Sequence, residues 1–248
     1  MLELAMLLWT ATAQGKENGQ DPCFVETICQ IQHAIRWKEP AWSHEFCERV
    51  EQGIRLAALK YDIDGRQLAA MALNESDFRP RAERAHREGR PGAPGPDNPT
   101  TTGGETAEAT GASSAGRPRV VDVGLMGVTC VIGKHGLCTN KFVRGLTPEK
   151  LKDPVLNLEI GAKILTLMHG GNLRSYNGGV TKKGYPRRIE TLTMAVSGDW
   201  EAAGRLARGR RIRKMVRQIN AAVFVALGEC VSIHMNAARD ILRGPAAK

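Results

Sequence analysis

The chain is poor in aromatic residues, with only 5% Phe, Trp and Tyr, and no apolar run approaches the ~20 residues that a bilayer-crossing helix needs. The most apolar late stretch, "INAAVFVALGECVSIHM", is short and interrupted by Glu229, so no transmembrane span is expected. There is no Cys-x-x-Cys pair and no group of Cys and His at ligand spacing, which removes the usual zinc architectures. No metal and no cofactor is called for. Patterns of alternating polarity are scarce as well, so the expected fold class is mostly α. Acids are outnumbered: 35 Lys and Arg face 26 Asp and Glu, a formal net charge of +9. That balance suits an anionic partner, whether nucleic acid, a lipid headgroup surface or an acidic wall polymer.

Six cysteines are present, at 23, 29, 47, 130, 138 and 230. An even count without metal spacing favours disulfides and an oxidising compartment. The expected bridges are Cys130–Cys138 or one joining Cys23 or Cys29 to Cys47. The opening "MLELAMLLWTATAQG" has an apolar run and an Ala-x-Ala-like stretch, as a secretory leader does, although Glu3 stands where a positive charge belongs. Residues 1–20 are therefore read as a leader and the location as periplasmic or secreted.

Helical patterning begins with "FVETICQIQHAI", where Phe24, Ile28, Ile31 and Ile35 share a face. "AWSHEFCERVEQGIRLAALKY" repeats it through Trp42, Phe46, Val50, Ile54 and Ala57. A third helix, "DIDGRQLAAMALNE", has Asp64 as its cap and Gln67 at the capping-box position, with Leu68, Met71, Ala72 and Glu75 on one face. Pro80 stops it. A carboxylate at a core-facing position beside the negative end of a helix is disfavoured in its charged form, which is how a general acid is made. The same spacing also describes a plain surface glutamate.

Residues 81–119 hold almost no bulky apolar side chain and are dense in Gly, Pro, Thr and Ala, so they read as a long disordered insertion. In "VVDVGLMGVTCVIG" two glycines argue for a bend. "KDPVLNLEIGAKILTLMHGG" is a helix capped by Asp153 with Pro154 at its first position, with Leu158, Ala162, Leu165 and Met168 along one face. Gly161 inside it costs ~1 kcal/mol relative to Ala unless close packing requires it. Tyr176 precedes an Asn-Gly turn. From Asp199 a basic helix is expected, with Ile212, Met215, Ile219 and Val223 inward and Arg205, Arg208, Arg211 and Lys214 outward, followed by a last helix through "SIHMNAARDILR".

Four pieces in order, "NESDFRP", "DVGLM", "LKDPVLNLEIGAKIL" and "SYNGG", resemble the catalytic domain of the lytic transglycosylases, which has a goose-lysozyme-like helical fold. The likeness covers about residues 48–195 and is nearest to the small specialised members associated with secretion systems. A lysozyme-like domain is expected over 21–195, and the basic helices of 196–248, which fall outside the likeness, are expected to pack on it as an extension. The likeness implies a peptidoglycan glycan strand as substrate and an envelope or secretion machine as a further partner. A monomer is expected. Glu75 would be the single acid and base. Ser76, Gly124, Leu125, Met126, Gly127, Tyr176 and Asn177 would line the sugar site, Met126 touching a sugar face. Asp122 and Asn157 would support it. The family usually has Gln after Gly-Leu-Met; here that residue is Gly127.

The departure at Gly127 keeps two alternatives open: a weak or inactive glycan-binding relative, and a lysozyme-type hydrolase of the same fold. "RLARGRRIRKMVRQ" alone supports a nucleic-acid reading, without aromatic platforms or a recognition helix, so no nucleic acid is expected.

Overall fold

In the computed structural model the described residues are 23–36, 43–79, 82–85, 119–176 and 184–243. The expected leader, nearly all of the expected insertion, Trp42 and Asn177 lie outside them.

Three helices come first: α1 (Phe24–Arg36), α2 (His44–Tyr61) and α3 (Gly65–Ser76). Ser43 caps α2 by accepting from the Phe46 amide at 3.1 Å, and Asp64 caps α3 by accepting from the Arg66 amide at 2.8 Å. Every residue from Leu68 to Asn74 is buried, so α3 runs through the core rather than lying on it with one face. It ends abruptly. Asp77 and Phe78 both take left-handed backbone, with φ of 52° and 56°, a conformation that L-residues adopt at a cost. Burial of the whole Phe78 ring holds that turn in place.

The sparse strand pattern hides a three-stranded antiparallel sheet: β1 (Glu83–Ala85), β2 (Arg119–Val123) and β3 (Val128–Ile132), in that order. Glu83 pairs with Val123 and Val123 with Val128, so residues 124–127 are the hairpin turn. Strands of three to five residues give too few alternations to read, and the partner of β1 lies beyond the long insertion.

A short 3-10 turn (Lys150–Lys152) leads into α4 (Pro154–His169), whose Asp153 cap accepts from the Leu156 amide at 2.9 Å and pairs with Arg49 of α2. Met168, expected on the inner face of α4, is exposed, because the core ends at Leu165. Then come α5 (Leu173–Tyr176), α6 (Tyr185–Val196), α7 (Trp200–Leu206) and α8 (Arg210–Arg243). The expected division of the C-terminal part is corrected here. The chain breaks after α7, with Ala207 extended and Gly209 left-handed at φ 77°, and α8 then runs unbroken.

Packing pairs α2 with α4, α3 with α6, and α1 with α8. The mostly helical, lysozyme-like class is what the sequence indicated. Ile212, Met215, Ile219 and Val223 of α8 are buried in the common core, and Cys23–Cys230 ties α8 to the start of α1. Arg210–Ile233 is long and apolar enough to cross a membrane by length and composition, but its inner face is occupied by this packing. Cys29–Cys47 and Cys130–Cys138 are the other two bridges. Both match expected pairings; Cys23–Cys230 joins residues too far apart for sequence to suggest.

Candidate active site

Glu75 is the last residue but one of α3, half-buried, where the helix meets the hairpin turn. Two supports meet there. On one side, Asn74 Nδ2 donates to Glu75 Oε1 at 3.3 Å, and Asn74 Oδ1 accepts from Arg188 Nε of α6 at 3.3 Å. On the other side is Gly127. A Cβ placed on Gly127 would stand 3.6 Å from Glu75 Oε2, so the turn lies in van der Waals reach of the carboxylate.

The turn itself is held from beneath. Asn157 of α4 is fully buried; its Oδ1 accepts from the Met126 amide at 2.8 Å, and its Nδ2 donates to the carbonyls of Val123 at 3.0 Å and Leu151 at 2.7 Å. A buried side-chain amide with donor and acceptor both satisfied fixes the turn's position. Gly124 has φ 78°, and a Cβ there would fall 2.2 Å from Asn157 Nδ2, so only glycine fits. Gly161 is explained by the same turn, since a Cβ there would strike Met126 at 2.6 Å. The close approach is to a side chain, and that offsets the helix cost of glycine.

Leu125 and Met126 are buried, at 0% and 1% exposure. Their side chains fill the core beneath the turn, and what the turn offers a ligand is its backbone and the open side of Gly127. Ser76 is likewise turned inward: its hydroxyl donates to the Ala72 carbonyl at 3.0 Å and accepts from the Arg79 amide at 3.2 Å. It closes the end of α3. Asp122 accepts from the Thr129 hydroxyl at 2.7 Å across the β2–β3 ladder.

Tyr176 closes the ring of residues. Its hydroxyl donates to the Met126 carbonyl at 3.4 Å, its ring stacks on Tyr185 with centroids 6.4 Å apart, and Arg188 lies over Tyr185 at 5.7 Å. Burial pushes the Tyr176 phenol above its ordinary range, and the carboxylates of Glu75 and Asp122 add to the shift. Tyr176 thus stays a neutral hydroxyl near both acids. Glu75, Gly127, Met126, Tyr176, Tyr185, Arg188 and Asn74 form a continuous circuit.

Asn74, Tyr185 and Arg188 were not singled out in the sequence. Asn74 and Arg188 are 114 positions apart, and no local spacing announces their bond. Arg211 of α8 also reaches the end of α3, donating to Asp77 Oδ1 at 3.0 Å and to the Asn74 carbonyl at 3.4 Å. Cys29, His44 and Cys47 lie close enough together to share an ion, but the two sulfurs are bonded to each other.

A family model described as the transglycosylase SLT domain matches residues 52–189, more than half of the chain. No curated protein and no solved structure matches it. The matched span starts within α2, includes α3, the hairpin turn, α4 and Tyr176, and ends within α6. The chain belongs to the transglycosylase SLT domain family.

Proposed function

We propose that this chain is a peptidoglycan lytic transglycosylase, cutting the β-1,4 bond between N-acetylmuramic acid and N-acetylglucosamine with Glu75 as its single acid and base. The observation that carries the reading is the placement of the Glu75 carboxylate against the open side of Gly127. The two neighbouring acids are otherwise occupied, Asp77 by Arg211 and Asp122 by Thr129. Glycosidases that recruit water or an enzyme nucleophile use a second carboxylate of matching placement. A substrate that supplies its own nucleophile needs one.

The protonated Glu75 gives its proton to the glycosidic oxygen as the C1–O bond breaks, and the muramyl N-acetyl oxygen closes on C1. Glu75, now a carboxylate, removes the proton of the muramyl 6-hydroxyl, whose oxygen attacks C1 and expels the N-acetyl oxygen. Glu75 ends protonated as it began, and the product is a 1,6-anhydromuramyl end. No water is consumed. Tyr176, Asn74 and Arg188 hold the turn and the acid in register. Three disulfides fit a periplasmic or secreted location.

Gly127 supports a second reading, a binding relative with little turnover, because the side chain that usually lines the sugar site is missing. Digestion of purified peptidoglycan separates the readings. Anhydromuramyl ends support the transglycosylase, ends heavier by one water the hydrolase, and binding without release the weak relative. Gly127→Gln refines the result. Its left-handed φ of 57° costs about 1 kcal/mol for an L-residue, but its Cβ makes only ordinary contact with Glu75. The variant is expected to fold and to cleave generic wall at least as fast as wild type; a large drop would show that the glycine is needed as such.

A further inference from the structure

Helix α8 turns one side into the core and leaves the other uncovered. Ile212, Met215, Ile219, Val223, Ala226 and Cys230 are buried. On the opposite side Arg210, Arg213, Arg217, Phe224 and Val231 follow one another at helical spacing, and all are exposed. This stripe changes character along its length. Its first half is cationic, with exposed Lys214 beside the three arginines, and no Asp or Glu occurs from 202 to 228. Among the described residues none of these four cations forms an ion pair. Its second half is apolar. Phe224 is 66% exposed, Val225 and Val231 are open to solvent, and Ile233 joins them just past the Cys23–Cys230 bridge. A Cβ on Gly228, in their midst, would meet nothing within 4 Å, so no described residue stands over this part of the helix. Trp200 of α7 meets the Phe224 ring edge-on at 5.8 Å and is itself partly exposed.

A single exposed apolar side chain is ordinary, but several together beside an aromatic pair mark a contact surface. Arg210–Ile233 is long and apolar enough to enter a bilayer, and its most apolar stretch is only 33% buried in the fold. It is not free to span one, because its inner side chains belong to the core and Cys230 fastens it to the start of α1. It can lie against a membrane. An interfacial helix sinks its apolar side chains ~5–10 Å into the headgroup boundary while its cations meet lipid phosphates. With its later half tilted inward, α8 meets both demands. Arg217 precedes Phe224 by seven residues, about 10 Å of helix, which is comparable with the depth of the headgroup layer. Trp200 suits the same depth, where one edge of the ring is apolar and the other wet. Other occupants complement only half of the stripe. A glycan or a nucleic acid matches the cations and leaves the apolar half facing polar groups. A second copy paired on this face sets arginine against arginine when parallel, and arginine against Phe224 when antiparallel.

We propose that the exposed face of α8, together with Trp200, docks on an anionic phospholipid surface, inserting Phe224 and Val231 and laying Arg210, Arg213 and Arg217 against the phosphates. This goes beyond the cleavage reaction proposed above and does not depend on it. Docking would hold the Glu75 site at a membrane rather than free in solution.

The test is co-sedimentation of the oxidised full chain with vesicles of phosphatidylcholine containing phosphatidylglycerol, and with vesicles of phosphatidylcholine alone. The anionic vesicles should bind at least tenfold more tightly. Raising salt to about 1 M, where the screening length falls to ~3 Å, should remove most of that difference. Phe224→Ser with Val231→Ser leaves the charge unchanged and should lower affinity for anionic vesicles about tenfold or more, because inserted apolar surface is lost. Arg213→Gln with Arg217→Gln should lower it about tenfold or more and flatten the salt dependence, each cation at such a surface being worth about fivefold. All four side chains are exposed, so an unchanged melting temperature will show that both variants are folded. The comparison of the two vesicle types with wild type stands without them. Equal binding to both vesicles, binding to neither, or an affinity unchanged by the loss of Phe224 and Val231 overturns the proposal. So does self-association of wild type that the same double variant abolishes while vesicles are ignored, since a second copy then covers the face. If anionic vesicles bind as stated and no wall is cleaved, the function proposed above fails and the docking face stands.

Discussion

Arg211, in the first turn of α8, donates to the Asp77 carboxylate at 3.0 Å and to the Asn74 carbonyl at 3.4 Å, closing over the end of the helix that carries Glu75. A cation at a helix C-terminus satisfies carbonyls that have no partner within the helix and complements the helix dipole. The C-terminal basic helix is thus part of what positions the candidate acid.

Arg211→Gln should separate stability from turnover. The Arg211 side chain is 61% exposed, and such pairs contribute about 1 kcal/mol or less. The melting temperature should hardly move. Cleavage should fall about tenfold, since misplacement of a catalytic group by 1 Å costs up to ~10²-fold. Thermal melts and anhydromuramyl release from the same preparations check both halves.

The Cys23–Cys230 bridge should matter more than its place at the edge of the chain suggests. It closes a loop with a sequence separation of 207 residues and fastens α1 to α8. Cys23→Ser with Cys230→Ser should cost about 2–4 kcal/mol, read as a lower denaturant midpoint. Titration of the unfolded, unreduced wild type should find no free thiol; six would contradict the bridges.

Glu51 gives a pH dependence whose sign is fixed. It is 8% exposed on α2, and burial raises its pKa, an effect that Arg55 at 3.5 Å partly offsets. Between the unfolded carboxylate value and the raised folded one, the folded state holds more protons. This residue's contribution to stability therefore falls as pH rises through that window. Glu51→Gln should stabilise the protein at pH 7, by about 1 kcal/mol, the scale of an imperfectly compensated buried group. It should be nearly neutral near pH 3, where the wild-type carboxyl is already protonated. Unfolding curves at the two pH values check it.

What could be read from the sequence was mostly local. The caps Asp64 and Asp153, Pro154 at the start of α4 and the stripe through Leu68, Met71 and Ala72 all act within one or two helical turns. What could not be read was non-local. β1 finds β2 across the insertion, Arg188 finds Asn74 from 114 positions away, and Cys23 finds Cys230 across nearly the whole chain. The inward turn of Met126 was hidden too, because it depends on Gly161 leaving room on a helix that is distant in sequence.

The most direct measurement is the release of anhydromuramyl ends by wild type and Glu75→Gln in one assay, with glycan binding measured alongside. The amide fills the same space beside Gly127 but can neither give nor take a proton at useful strength. Losing general acid and base together should lower the rate by ~10⁴-fold or more, because each role is worth ~10²–10⁴-fold. Binding should stay within a few-fold of wild type. If Glu75→Gln releases anhydromuramyl ends as fast as wild type, another group is the acid, and the role assigned to Glu75 is wrong.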